Sequence, residues 1–213
     1  MCWSATADLV AGSAIAAVGV ACLARARRAA DLPLAALPLI LGAHQFVESV
    51  VWRSGGGPGP ATVAWAVIAL PLLAVWVPAG VLCVAPPRNV RPLTVPLVAG
   101  LATAAVLSYR LATHSVTAEV RGHTVGYAVT LPGAEVIVVG YLLATVGSLL
   151  LSGHHLLRVL GVLVAVGAVV CWALWEREFI STWCAFAAVC SLVLYRWVRR
   201  PVSSGVPRVP AGR

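Results

Sequence analysis

The chain has 213 residues, 61% of them hydrophobic and only 10% charged, with a mean hydropathy of +0.95. No soluble globule could bury so much apolar surface, so the solvent for most of the chain is a bilayer. The net charge of +8 comes from fifteen basic residues, all arginine, which excludes a retinal Schiff base, and no soluble basic face is left for a nucleic acid.

Apolar runs near 5–24, 33–52, 61–84, 93–112, 134–152, 156–175 and 179–198 each reach the roughly 20 residues that a helical span requires. They predict an all-α integral membrane protein with a seven-helix transmembrane domain over 1–200, followed by a basic tail over 201–213 that reads as disordered. The opening "MCWSATAD" has neither a basic n-region nor a small-residue cleavage site, so the first helix is expected to stay. Gly12, Ala16 and Gly19 on that helix permit close helix contact. Pro71, Pro78 and Pro96 predict kinks in the third and fourth spans. The longest connection, 113–133, alternates Val with polar residues around "RGH", which predicts a short β-hairpin between helices 4 and 5 that could lie over the helix ends as a lid. The six cysteines contain no C-x-x-C pair and read as packing residues.

Eleven arginines fall on one side of these spans and four (Arg53, Arg110, Arg121, Arg177) on the other. The positive-inside tendency then puts the N-terminus outside and the C-terminus in the cytoplasm of a multi-pass cell-membrane protein. The basic tail is within reach of anionic headgroups. Six carboxylates (Asp8, Glu48, Glu119, Glu135, Glu176, Glu178) map to the outer side, leaving Asp31 inside. Trp3, Trp52, Trp65, Trp175 and Trp183 map with those acids, and Trp172 lies one turn deeper.

Within "HQFVESVVW", His44, Glu48 and Trp52 stand at i, i+4 and i+8 and share one helical face, flanked by Gln45. An ionisable group in a span is expensive and usually faces the bundle interior, where the neutral acid is the expected resting form. Glu48 is thus a candidate proton donor and His44 a group that orients or reprotonates it; the bland alternative is a hydrogen-bonded helix-packing network. In "CWALWEREFISTW", Trp172, Trp175, Glu176, Phe179 and Trp183 recur at helical spacing if the helix persists past 175, although Trp175 and Trp183 also suit an interfacial belt. Aromatic faces stabilise a cation without offering a nucleophile. Tyr141 on the fifth span joins this candidate substrate wall. Asp8 is either a helix-start acid favoured by the dipole or a second catalytic carboxylate, and Glu135 is a secondary candidate of the same kind. The spacings give no zinc-hydrolase ligand set and no phosphate loop, so no metal or cofactor is expected.

The segments "MCWSATADLVAG", "LPLAALPLILGAHQFVESVVW", "GHTVGYAV" and "STWCAFAAVCS" together resemble a largely uncharacterised family of small actinobacterial multi-helix membrane proteins. The chain is similar to the membrane terpene cyclases of drimentine-type indole sesquiterpene biosynthesis. That resemblance implies protonation of a farnesyl chain, carried on an indole diketopiperazine, and its cyclisation through a carbocation to a drimane-like product. No cyclase motif aligns residue by residue, so the roles rest on local chemistry. Glu48 is the donor, with His44 and Gln45 as its shell. Glu176 or Asp8 is the second acid or terminal base, and Trp52, Trp172 and Trp175 line the path of the cation. The expected partners are a prenylated hydrophobic small molecule and the lipid bilayer, with homo-oligomerisation left open. A small-solute or proton-coupled transporter is the alternative, because acids in a bundle also mark ion pathways, although no internal repeat supports it. A non-catalytic membrane scaffold is the third reading.

Overall fold

A computed structural model describes residues 4–129, 133–174 and 179–200. It contains seven helices long and apolar enough to cross a membrane: α1 (Ala5–Arg25), α2 (Ala29–Arg53), α3 (Pro60–Val84), α4 (Pro87–Thr113), α5 (Ala134–Leu151), α6 (His155–Leu174) and α7 (Phe179–Val198). α4 begins at Pro87 rather than near 93, because Pro87 takes a first-turn position where its missing N–H is not needed, and the charged "RNVR" is wound into the helix. α2 likewise starts early, with a 3₁₀ turn over Ala29–Asp31. The predicted tail 201–213 lies outside the described residues.

The hairpin forms where the alternation placed it, with β1 (Thr117–Arg121) antiparallel to β2 (Thr124–Ala128) and Arg121 opposite Thr124. Gly122, at φ 59°, carries the tight turn. Pro71 produces a wide π turn over Ile68–Leu72 in α3, and a second π turn occupies Leu143–Gly147 in α5. The wider turn absorbs the proline's missing donor within a continuous span.

The most deeply buried span is α2. Lipid gives little hydrophobic drive for one helix to join another, so contact depends on close packing. A Cβ on Gly42 of α2 would come 2.7 Å from the Ala16 nitrogen, and one on Gly12 of α1 would come 3.0 Å from the Gly42 carbonyl oxygen. Gly19 is equally tight against the Leu39 backbone. Pairing Gly12 with Gly42 and Gly19 with Leu39 makes α1 antiparallel to α2. The outward faces of the helices stay apolar, as at Val10, Val98, Val136 and Val169.

One end of the bundle is tied by charge. Buried Asp31 accepts from Arg28 at 2.8 Å and from Arg200 at 2.9 Å, joining the α1–α2 connection to the end of α7. The Arg200 guanidinium lies 3.8 Å from the Trp197 ring centroid. Nearby, the Trp76 indole donates to the Pro33 carbonyl at 2.8 Å, and Asn89 donates to that of Leu151 at 2.8 Å.

Gly42→Val should lower the thermal midpoint of the detergent-purified protein, with an overpacking cost of about 1–3 kcal/mol. Gly59→Ala should not, because Gly59 is extended and a Cβ there meets nothing within 4 Å. Equal midpoints for the two variants would show that the α1–α2 contact does not limit stability.

Candidate functional site

Hydrocarbon offers no hydrogen-bond partner, so a polar side chain in a span must be satisfied by the protein or by trapped water. His44, Gln45 and Glu48 of α2 are all fully buried. The Ser181 hydroxyl of α7, itself buried, donates to Glu48 Oε1. His44 Nδ1 lies 3.4 Å from Gln45 Nε2, and its ring sits 4.9 Å from that of Trp65 on α3. His44 Nε2, Gln45 Oε1 and Trp65 Nε1 have no hydrogen-bond partner among the described residues. Of the stripe read from the sequence, His44, Gln45 and Glu48 are therefore buried together and Trp52 is half-buried, but the carboxyl is held by Ser181 and not by His44.

The turn after α2, "SGGGPG", fixes what lies above this stripe. Gly55, Gly56 and Gly57 adopt φ of 74°, 81° and 84°, a region that side chains with a Cβ rarely enter. Gly57 exchanges backbone hydrogen bonds with Ala118 of β1, at 2.7 and 3.2 Å, and a Cβ on Gly56 would meet the Ala118 carbonyl oxygen at 2.7 Å. The loop thus pairs with the edge of the hairpin. Val51, Ala118 and Val125 form a small core at the junction, with Trp52 and Tyr127 packed against it. The Tyr127 ring stacks on Trp65 with centroids 3.4 Å apart and planes 3° from parallel. The hairpin covers the end of the bundle where His44 and Trp65 meet.

A second aromatic group stands along α7. Phe179 stacks on Trp183 at 5.4 Å, and Tyr141 of α5 meets Trp183 edge-on at 5.8 Å. The Trp183 indole donates to the Val164 carbonyl at 2.9 Å, and the Tyr141 hydroxyl to that of Ala69, in the π turn of α3, at 2.5 Å. Two apolar cavities of about 50 and 60 Å³ flank this wall, and Tyr141, Trp183 and Cys184 line both. Cys184 is one turn from Ser181, the residue whose hydroxyl holds Glu48. Neither Glu48 nor His44 lines either cavity. Among the described residues, no three His, Cys, Asp or Glu side chains converge as metal ligands.

The remaining candidates divide. Asp8 is fully buried on α1, and the antiparallel register carries it one turn beyond Gly12 to the level of Ser49. Trp52 packs beneath the hairpin. Trp172 is 62% exposed on the outer face of α6 and does not join Phe179 and Trp183. The helical spacing fails there because α6 and α7 lie side by side, with Trp183 against Val164 and Phe186 against Gly167, so Trp172 and Phe179 belong to different helices. Trp175 and Glu176 lie outside the described residues. Ser181, Tyr127 and Cys184 were not singled out from the sequence, and Trp65 only as a ring on the side of the acids. A usable signal existed for Tyr127, which shares a strand face with Val125, and for Ser181, a hydroxyl in a span that needs a partner.

Fold and site define a seven-helix bundle with a buried acid at one end and a hairpin docked over that end. Residues 1–208 match the family of unknown function DUF6629, and the chain belongs to that family. No curated protein and no solved structure matches it.

Tyr127→Ala removes the ring stack on Trp65 while leaving the helices intact. Trypsin should then cut at Arg121, near the hairpin turn, several-fold faster than in the wild type. An unchanged rate would mean that the glycine loop alone holds the hairpin down.

Proposed function

We propose that this protein is a membrane terpene cyclase that starts its reaction by protonating a prenyl chain. The observation that carries the reading is the Glu48 carboxyl, fully buried and hydrogen-bonded by Ser181, which stands on α7 one helical turn from Cys184, a lining residue of both aromatic-walled cavities. A prenylated substrate partitions into lipid and reaches such a site laterally, and exclusion of water protects the cation. The substrate of this reading is a farnesyl chain carried on an indole diketopiperazine, and the product is drimane-like. The protein would act in the cell membrane with the N-terminus outside, following the arginine asymmetry.

With Ser181 donating to Oε1, the acidic proton of neutral Glu48 belongs on Oε2. It adds to a terminal alkene carbon, whose π electrons form the new C–H bond and leave a tertiary cation. The next alkene attacks that cation and closes a ring. Loss of a proton to a second carboxylate, Glu176 or Asp8, ends the sequence, so the product is an isomer of the substrate. His44 and Gln45 complete the polar shell behind Glu48, and the proton taken up by the terminal base returns to Glu48 by way of water and the His44 imidazole. Trp183, Tyr141, Phe179 and Trp52 present the faces that stabilise positive charge.

Pockets for molecules of this size span about 300–1,000 Å³, well above either cavity. The reading therefore requires Tyr141 and Trp183 to turn aside and join the two spaces to Glu48. The transporter alternative finds less support, because the buried groups Glu48, His44 and Gln45 gather on adjacent turns of one helix rather than through the bilayer thickness.

Membranes carrying wild type or Glu48→Gln, incubated with a farnesylated indole diketopiperazine in deuterated water, test the proposal. The wild type should yield an isomer one mass unit heavier by a single deuterium, and Glu48→Gln should lose at least about 10²-fold in rate, the scale of general acid catalysis. Equal conversion by both would remove Glu48 from the mechanism. No conversion by the wild type, together with Glu48-dependent flux in proteoliposomes, would favour transport.

A further inference from the structure

At the arginine-rich end, α1 and α7 run parallel and leave a groove open to the outside of the bundle. Ala17, Val18 and Ala21 of α1 and Leu192 and Tyr195 of α7 line it, enclosing about 380 Å³. The guanidinium groups of Arg25 and Arg199 lie 5.4 and 5.5 Å from the centroid of the Tyr195 ring. Toward the membrane surface the groove thus passes from small and aliphatic side chains to the one phenol ring, contributed by α7, and then to two cations, one from each helix.

Among the described residues the two cations have no acidic partner. Asp31, the acid of this end, is taken by Arg28 and Arg200, and among the described residues no ion pair reaches Arg25 or Arg199. The quadrupole of Tyr195 holds both guanidiniums near one ring. They repel each other there, and an oxyanion placed between them relieves that repulsion through charge-assisted hydrogen bonds. Arg27, Arg28 and Arg196 add to the positive field at the same end.

We propose that this groove binds one anionic phospholipid, with an acyl chain along Ala17, Val18, Ala21 and Leu192 and the phosphate between Arg25 and Arg199. The site is separate from the Glu48 region and does not depend on the cyclase reading. A zwitterionic lipid offers the same chains, but its ammonium group meets the cationic field unfavourably, so the headgroup sets the preference.

Native mass spectrometry of the full-length protein, delipidated in detergent and then given phosphatidylglycerol or phosphatidylcholine, tests this. The wild type should retain one phosphatidylglycerol at a concentration at least tenfold lower than it needs for phosphatidylcholine. The double variant Arg25→Gln/Arg199→Gln, confined to exposed side chains, should keep its helicity by circular dichroism and lose that preference. Arg88→Gln/Arg91→Gln removes the same charge at the same end of the bundle and should keep it. Equal loss in both variants would reduce the effect to general surface charge and overturn the site. So would displacement of the lipid by glycerophosphoglycerol alone, or a dimer of the chain in place of the lipid adduct.

Discussion

A carboxyl group inside a hydrocarbon layer has to be satisfied by the protein that carries it, and Glu48 imposes that requirement on the whole bundle. The helix bearing it must be enclosed on several sides, and α2 is the most deeply buried of the seven. Enclosure on one side comes from α1, drawn close by the contact of Gly12, Gly19 and Gly42. On another it comes from α7, which supplies the Ser181 hydroxyl. On a third, α3 brings Trp65 against His44. Small residues and polar residues thus serve one end, because helices can share a hydrogen bond in lipid only if their backbones approach closely.

The two ends of the bundle are secured by different physics, which bears on where it opens. Asp31 bridges Arg28 and Arg200, elements at opposite ends of the chain, so parting that end costs charge-assisted hydrogen bonds from a buried carboxylate. The hairpin end is held by a pair of backbone hydrogen bonds at Gly57, an apolar junction at Val51, Ala118 and Val125, the stack of Tyr127 on Trp65 and the burial of Val116 in the main core. The hairpin lies over the end that holds the buried acid, so opening there is governed by backbone and apolar contacts rather than by charge.

Span positions were legible because an apolar run of about twenty residues has few other solutions, and the hairpin because period-two alternation in 117–128 has no helical counterpart. The interior placement of His44, Gln45 and Glu48 followed from the cost of polarity in lipid. What the sequence did not disclose was pairing between distant elements. Nothing local marks Ser181 as the donor to Glu48, 133 positions away, or Trp65 as the ring beneath Tyr127. Trp172 misled for a related reason. Helical spacing predicts a shared face only within one continuous helix, and Trp172 sits on the outer face of α6 while Phe179 and Trp183 sit on α7, packed alongside it.

The aromatic wall carries a chemical constraint of its own. Tyr and Trp each bring a polar atom that could trap a cation or order water, yet the Tyr141 hydroxyl and the Trp183 indole N–H are both committed to backbone carbonyls, of Ala69 and Val164. Their polar handles are occupied, and the flanking cavities are lined mainly by rings and aliphatic side chains, the Thr145 and Ser191 hydroxyls of the first being committed to the Tyr141 and Ala188 carbonyls. That arrangement suits a transient positive charge better than a hydrated ion, which would need oxygen ligands. The same two hydrogen bonds fix the rings that separate the cavities. Joining the cavities would mean breaking at least one of these bonds, so Tyr141 and Trp183 are the wall that a substrate larger than either cavity would have to displace.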